Sequence, residues 1–191
     1  MDGPKTGSLL LGLFCACAVT FAAAQPKYGL GTQASDTQIA SWNIDVAPDG
    51  KALPPGSGTV ADGEKVYMNS CVACHGLKLE GGVGPALAGG DGSLTTDKPV
   101  KTIGSYWPYA TTLFDYIRRA MPFQAPQSLS NEQVYAVTGY ILHMNKLIEA
   151  NTTVNASTLA AVKMPNRNGF FVDDRPDSKA VACMTDCLKA P

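Results

Sequence analysis

The chain has 191 residues, enough for one domain with extensions. Its net charge is -1 and charged residues make up 16% of it, so it lacks the basic footprint of a nucleic-acid binder.

The first segment, Met1 to Ala24, reads as a secretory signal peptide. Lys5 supplies the positive start, Leu9 to Phe21 the apolar run, and Ala22-Ala23-Ala24 a small-residue cleavage site before Gln25. The apolar run is short and rich in small residues for a membrane span, and a retained anchor is the alternative. Neither Cys15 nor Cys17 follows a leucine-led small-residue box of the kind that directs lipid attachment.

Residues 25–58 form an extension rich in Gly, Pro, Ser and Asp, with a short helix expected near Asp36 to Trp42. Asp49-Gly50 and Pro54-Pro55-Gly56 mark turns. Tyr28, Leu30, Ile39, Trp42, Ile44 and Val46 are too many apolar residues for a free linker, so the segment is expected to pack on a core or a partner. Thr59 and Asp62 have the spacing of a helix start, and that helix runs through Val66 and Tyr67. Gly63 inside it costs helix stability, which points to close packing against another helix.

Next comes Cys71-Val72-Ala73-Cys74-His75, a C-x-x-C-H pentapeptide. This is the pattern of a c-type haem attachment site. Two thiols add across two vinyl groups, the intervening pair brings both sulfurs over one porphyrin face, and the histidine points at the iron as proximal ligand. A thioredoxin-like redox pair would need a βαβ context, and a zinc site a second ligand pair. Neither context is present around Cys71 and Cys74. One haem c, held covalently, is expected.

Beyond the motif, Gly84-Pro85-Ala86-Leu87 is a loop that can pass under the haem edge. The Pro85 carbonyl is the candidate to accept the second N–H of His75. Tyr106, Trp107, Tyr109 and Arg118 are candidates for the haem propionates, with plain packing the alternative for the aromatic residues. Thr111 or Thr112 is expected to cap a helix to Ala120 that Met121-Pro122 ends. Ser130 and Gln133 form a capping box for a helix over Asn131 to Leu147, with an apolar stripe of Val134, Val137, Ile141, Met144 and Ile148.

An electron carrier needs a distal ligand, and a thioether favours ferrous iron. Met121 sits on a loop between two helices, stiffened by the following proline, and is the favoured candidate. Met164-Pro165 is the rival, placed beyond the last good helix, and core packing is the ordinary role of either methionine. His143 projects opposite the apolar stripe and is expected in solvent. Cys183 and Cys187 are the remaining cysteines of an exported chain, and a bridge between them is favoured over a metal site.

The run from helix to C-x-x-C-H, Gly-Pro-x-Leu loop, Met-Pro loop and long helix resembles a class I cytochrome c over Thr59 to about Glu149. The flanks are more particular. Trp42-Asn-Ile-Asp-Val46, Leu53-Pro-Pro-Gly-Ser-Gly58, Ser105-Tyr-Trp-Pro-Tyr109, Asp115-Tyr-Ile-Arg-Arg-Ala-Met121-Pro-Phe123 and Met164-Pro-Asn-Arg-Asn-Gly169 resemble the cytochrome subunit of bacterial sulfane and sulfite dehydrogenases, the SoxD type. So do Asp174-Arg-Pro-Asp177 and Cys183-Met-Thr-Asp-Cys187.

That resemblance implies an all-α class I cytochrome c fold with irregular N- and C-terminal extensions. The expected divisions are 1–24 (signal), 25–58 (extension that contacts a partner), 59–149 (haem domain) and 150–191 (C-terminal extension). It implies a periplasmic electron-transfer subunit in which Cys71, Cys74, His75 and Met121 hold the haem. The implied partners are a molybdenum-cofactor dehydrogenase subunit as donor and a downstream cytochrome as acceptor, with no nucleic acid. Some sulfane dehydrogenase cytochromes carry a second cytochrome domain, and this sequence has a single C-x-x-C-H. A free carrier to a terminal oxidase, or a haem enzyme such as a peroxidase with an open distal site, are the alternative readings.

Overall fold

The computed structural model describes residues 30–173. The expected signal segment, Tyr28, the Asp174–Asp177 motif and the Cys183 and Cys187 pair lie outside the described residues. Among the described residues there are six α-helices and one two-stranded sheet, and no helix is long and apolar enough to cross a membrane.

Helix α1 (Asp36–Trp42) has the expected bounds and a capping box: the Gln38 N–H donates to Ser35 Oγ at 3.3 Å, and the Ser35 N–H to Gln38 Oε1 at 2.8 Å. It buries none of its residues, and Trp42 is 87% exposed. The chain that follows is different. Val46 joins the core at 7% exposure, and the Pro54 carbonyl accepts the Tyr135 hydroxyl at 2.8 Å. Within the described part of the N-terminal extension, helix α1 touches little, whereas the residues from Ile44 on are built into the body.

Strand β1 (Ser57–Thr59) leads directly into helix α2 (Val60–Ser70). Thr59 caps it as expected, accepting the Asp62 N–H at 3.1 Å. Helix α2 crosses helix α5 (Asn131–Met144) at very close range. A Cβ on Gly63 would lie 1.9 Å from the Ala136 carbonyl oxygen, so only glycine fits there. One turn on, the Tyr67 and Tyr140 rings meet with centroids 5.2 Å apart. Short helix α3 (Val72–His75) then carries the cysteine–histidine motif, and Gly76 ends it at φ 80°.

Helix α4 (Ala110–Ala120) packs Phe114 on Tyr135 of α5, ring centroids 4.4 Å apart. Its start corrects the expected threonine cap. Tyr109 is the N-cap and gives no side-chain bond, while the buried Thr111 hydroxyl donates to the Pro48 carbonyl at 2.8 Å. A distant carbonyl has claimed the group that local spacing assigned to a cap.

Helix α5 has its expected capping box and buries Val134, Val137 and Ile141. It also buries Tyr135, Ala136, Tyr140 and Leu142, because α2, α4 and the small sheet enclose it. It ends three residues before the expected Leu147. Lys146 takes a left-handed φ of 60°, the Leu147 N–H donates to Leu142, and Asn145 turns its amide onto the Leu87 carbonyl at 3.1 Å. Strand β2 (Thr153–Asn155) then pairs antiparallel with β1, Gly58 opposite Val154, and Asn155 caps α6 (Ala156–Ala160). The sheet was not expected.

Gly63→Ala tests the crossing. On an isolated helix this change gains about 1 kcal/mol. Here the added methyl meets backbone that cannot turn aside, so the expected outcome is a net loss of about 2 kcal/mol in a denaturant titration. A rise in the midpoint would contradict the crossing.

Candidate haem site

Helices α2 and α3 meet at Cys71, whose carbonyl accepts the N–H groups of Cys74 and His75 at 3.1 and 3.0 Å. That tight turn places two free, half-buried thiols and an imidazole beside one cavity. Burial pushes the Cys71 thiol up to about 11, with the neighbouring Cys74 adding to the shift.

The loop after the motif folds back on it. The Gly81 N–H donates to the His75 carbonyl at 2.8 Å and the Gly84 N–H to the Cys74 carbonyl at 2.9 Å. This brings the Pro85 carbonyl 2.8 Å from His75 Nδ1. A carbonyl only accepts, so Nδ1 carries the proton and Nε2 keeps its lone pair for a metal. Gly84 makes the approach possible: a Cβ there would lie 2.9 Å from Cε1 of the ring. From the other side, the Tyr67 hydroxyl donates to the Gly76 carbonyl at 2.7 Å, and burial raises the pKa of that phenol.

The cavity has a volume of about 480 Å³, within the range of roughly 300–1,000 Å³ usual for ligand pockets. Cys71, Cys74, His75 and Pro85 line it, with Leu113, Ile117 and Met121 from the α4 side and Ile141 from α5. Met121 is the C-cap of α4, its N–H bonded to the Ile117 carbonyl at 3.0 Å. The rival Met164 is 3% exposed, belongs to the core and does not line the cavity. His143 is also away from it, half-buried rather than solvated, with Nδ1 3.1 Å from the Ile148 carbonyl.

Of the residues expected near the propionates, Trp107 lines the cavity, its ring edge-on to Tyr116 at 5.9 Å. The other three are engaged elsewhere. Tyr106 packs on Phe170, Tyr109 lies under the Arg167 guanidinium, and Arg118 donates to the Ile44 carbonyl at 2.9 Å. Sequence reasoning missed Lys101 and Thr102, which also line the cavity. Thr102 is tied to Ser105 and to the Gly89 carbonyl, the latter at 2.6 Å. The Thr-x-x-Ser spacing was the available signal.

The family model for cytochrome c matches residues 60–145. A chain in the crystal structure of the sulfane dehydrogenase SoxCD from Paracoccus pantotrophus is 46% identical, over 84% of this chain and 82% of that one, with a TM-score of 0.73. This chain belongs to the cytochrome c family, with the SoxD-type subunits. Two curated relatives match parts of the chain. Thiosulfate dehydrogenase from Psychrobacter arcticus is 30% identical over 58% of this chain, and cytochrome c-552 from Schinkia azotoformans 63% identical over 14%. The matches span 36% and 51% of those two proteins' own lengths.

Membership of the cytochrome c family implies haem c. The donor set fits that group: two free thiols, an imidazole with Nδ1 already bonded, and a thioether, all on one largely apolar cavity. Gly84→Ala tests how the imidazole is held. The methyl must displace the ring from Pro85, so the Nδ1 proton should exchange roughly fivefold faster by NMR, the loss of about one hydrogen bond. Unchanged exchange would mean that the loop does not set the ring.

Proposed function

We propose that this cytochrome c is a periplasmic, mono-haem electron-transfer subunit. It accepts single electrons from a molybdenum-cofactor subunit that oxidises sulfane sulfur or sulfite, and hands them to a downstream cytochrome. In this reading Cys71 and Cys74 hold the haem through thioether bonds. His75 and Met121 ligate the iron, and the Pro85 carbonyl orients His75. One C-x-x-C-H in the sequence supports a single haem. A cavity wall that already carries a methionine speaks against a peroxidase, which needs an open distal side.

The observation that carries the proposal is the reach of the likeness to the SoxCD chain. It extends over 84% of this chain, well past the haem domain that any small cytochrome c would share. Helix α1 supports it independently. A seven-residue helix that buries nothing is not stabilised by its own backbone, and Trp42 and Ile39 are 87% and 48% exposed. Such a helix suits a chain that works in a complex better than a free carrier.

Removing residues 30–42 tests the partner claim without touching Val46 or the contacts that follow it. The expected product is folded and haem-loaded, melts within a few degrees of the full chain, and no longer co-purifies with a molybdenum-containing subunit. Molybdenum retained at the full one-to-one ratio would contradict the role given to this segment. No molybdenum with the full chain would contradict the function.

A further inference from the structure

Helix α4 is held on two sides. Its inner side lines the haem cavity through Leu113 and Ile117, and its last residue leads into Met121. Its outer side is crossed by the strap of residues 44–48. Three side chains grip the strap by its backbone. Thr111 donates to the Pro48 carbonyl at 2.8 Å, Asp115 Oδ1 accepts the Val46 N–H at 2.8 Å, and Arg118 donates to the Ile44 carbonyl at 2.9 Å. Steps of four and three residues put these on one stripe of the helix. Leu113 and Ile117 are each two residues from Asp115, a rotation of about 200° at 3.6 residues per turn. The strap and the cavity therefore face opposite sides of one helix.

Asp115 is the unusual member of the three. It is 6% exposed, and its charge is met by Arg119, whose Nε lies 3.0 Å from Oδ1 and whose Nη2 bonds Oδ2. Burying this carboxylate, with Arg119 reaching it from the surface, costs desolvation that a serine or threonine in this place would not incur. What the ion pair provides is a fixed, strong acceptor for one particular N–H, that of a residue 69 positions earlier in the chain. Neither the haem motif nor the packing of α4 on α5 uses it.

We propose that Asp115 is a positioning residue for Met121. By binding the Val46 N–H it locks the strap on the outer side of α4, and the locked helix holds the Met121 thioether against the iron. The proposal rests on the reading of Met121 as the distal ligand. Its consequence is that the strap, which continues from α1, is mechanically joined to the iron site.

The test is the rate at which added imidazole displaces the distal ligand in the ferric, haem-loaded protein, followed by loss of the far-red sulfur-to-iron band. Asp115→Ala should speed displacement about tenfold, the effect of one lost charge-assisted hydrogen bond. Asp115→Asn keeps an oxygen for the Val46 N–H and should stay within about threefold of the wild type. Thr59→Ala removes the cap of α2, lowers the melting temperature without touching α4, and should leave the rate unchanged. If Asp115→Ala fails to load haem, Val46→Pro removes the N–H itself and should give the same acceleration.

A wild-type rate in Asp115→Ala would overturn the proposal. So would equal acceleration in Thr59→Ala, or an Asn variant as fast as the Ala variant. Met121→Ala separates the two levels: a far-red band that survives it defeats the ligand reading itself, whatever the Asp115 variants do.

Discussion

Everything in this molecule follows from how closely α2 can lie on α5. Gly63 removes the one side chain that would hold the helices apart, and the Ala136 carbonyl occupies the space. The crossing sets Tyr67 against Tyr140 and fixes the direction in which α2 delivers Cys71. From there the geometry is short-range. One turn carries the thiols and His75, and a glycine loop returns to give His75 its carbonyl partner. A larger residue at position 63 would tilt α2 and move the whole attachment turn relative to the cavity wall on α5.

The second organising element is α4, which belongs to two structures at once. It is a wall of the cavity and the dock for residues 44–48. The strand pair β1 and β2 does the same for the two ends of the haem domain, tying residues 57–59 to 153–155. The flanking segments therefore bear on the haem region mechanically. Apolar side chains are left uncovered at both outer ends of the described chain, Leu30 and Trp42 at one and Phe171 and Val172 at the other.

What was legible in the sequence was chemistry fixed by local spacing. The C-x-x-C-H turn, the Pro85 carbonyl ten residues on, the bounds of α1, the capping box of α5 and the reason for Gly63 all follow from residues close together or from one residue's shape. Chain order favoured Met121 over Met164 as distal ligand; in the fold Met121 lines the cavity and Met164 lies in the core. What was not legible was the use of side chains by distant backbone. Thr111 looked like a cap and holds Pro48; Arg118 looked like a propionate partner and holds Ile44. Strands of three residues, Ser57–Thr59 and Thr153–Asn155, are too short to show alternation.

Sequence, fold and kinship converge on electron transfer, and the decisive question is where the electrons come from. The direct measurement is stopped-flow absorbance of the haem after the intact complex is mixed with sulfite or with a protein-bound sulfane donor. Electron transfer from the molybdenum subunit predicts that the haem is reduced within a single turnover, at a rate no slower than steady-state oxidation of the substrate. Haem that stays oxidised while the molybdenum subunit turns over with another acceptor would contradict it.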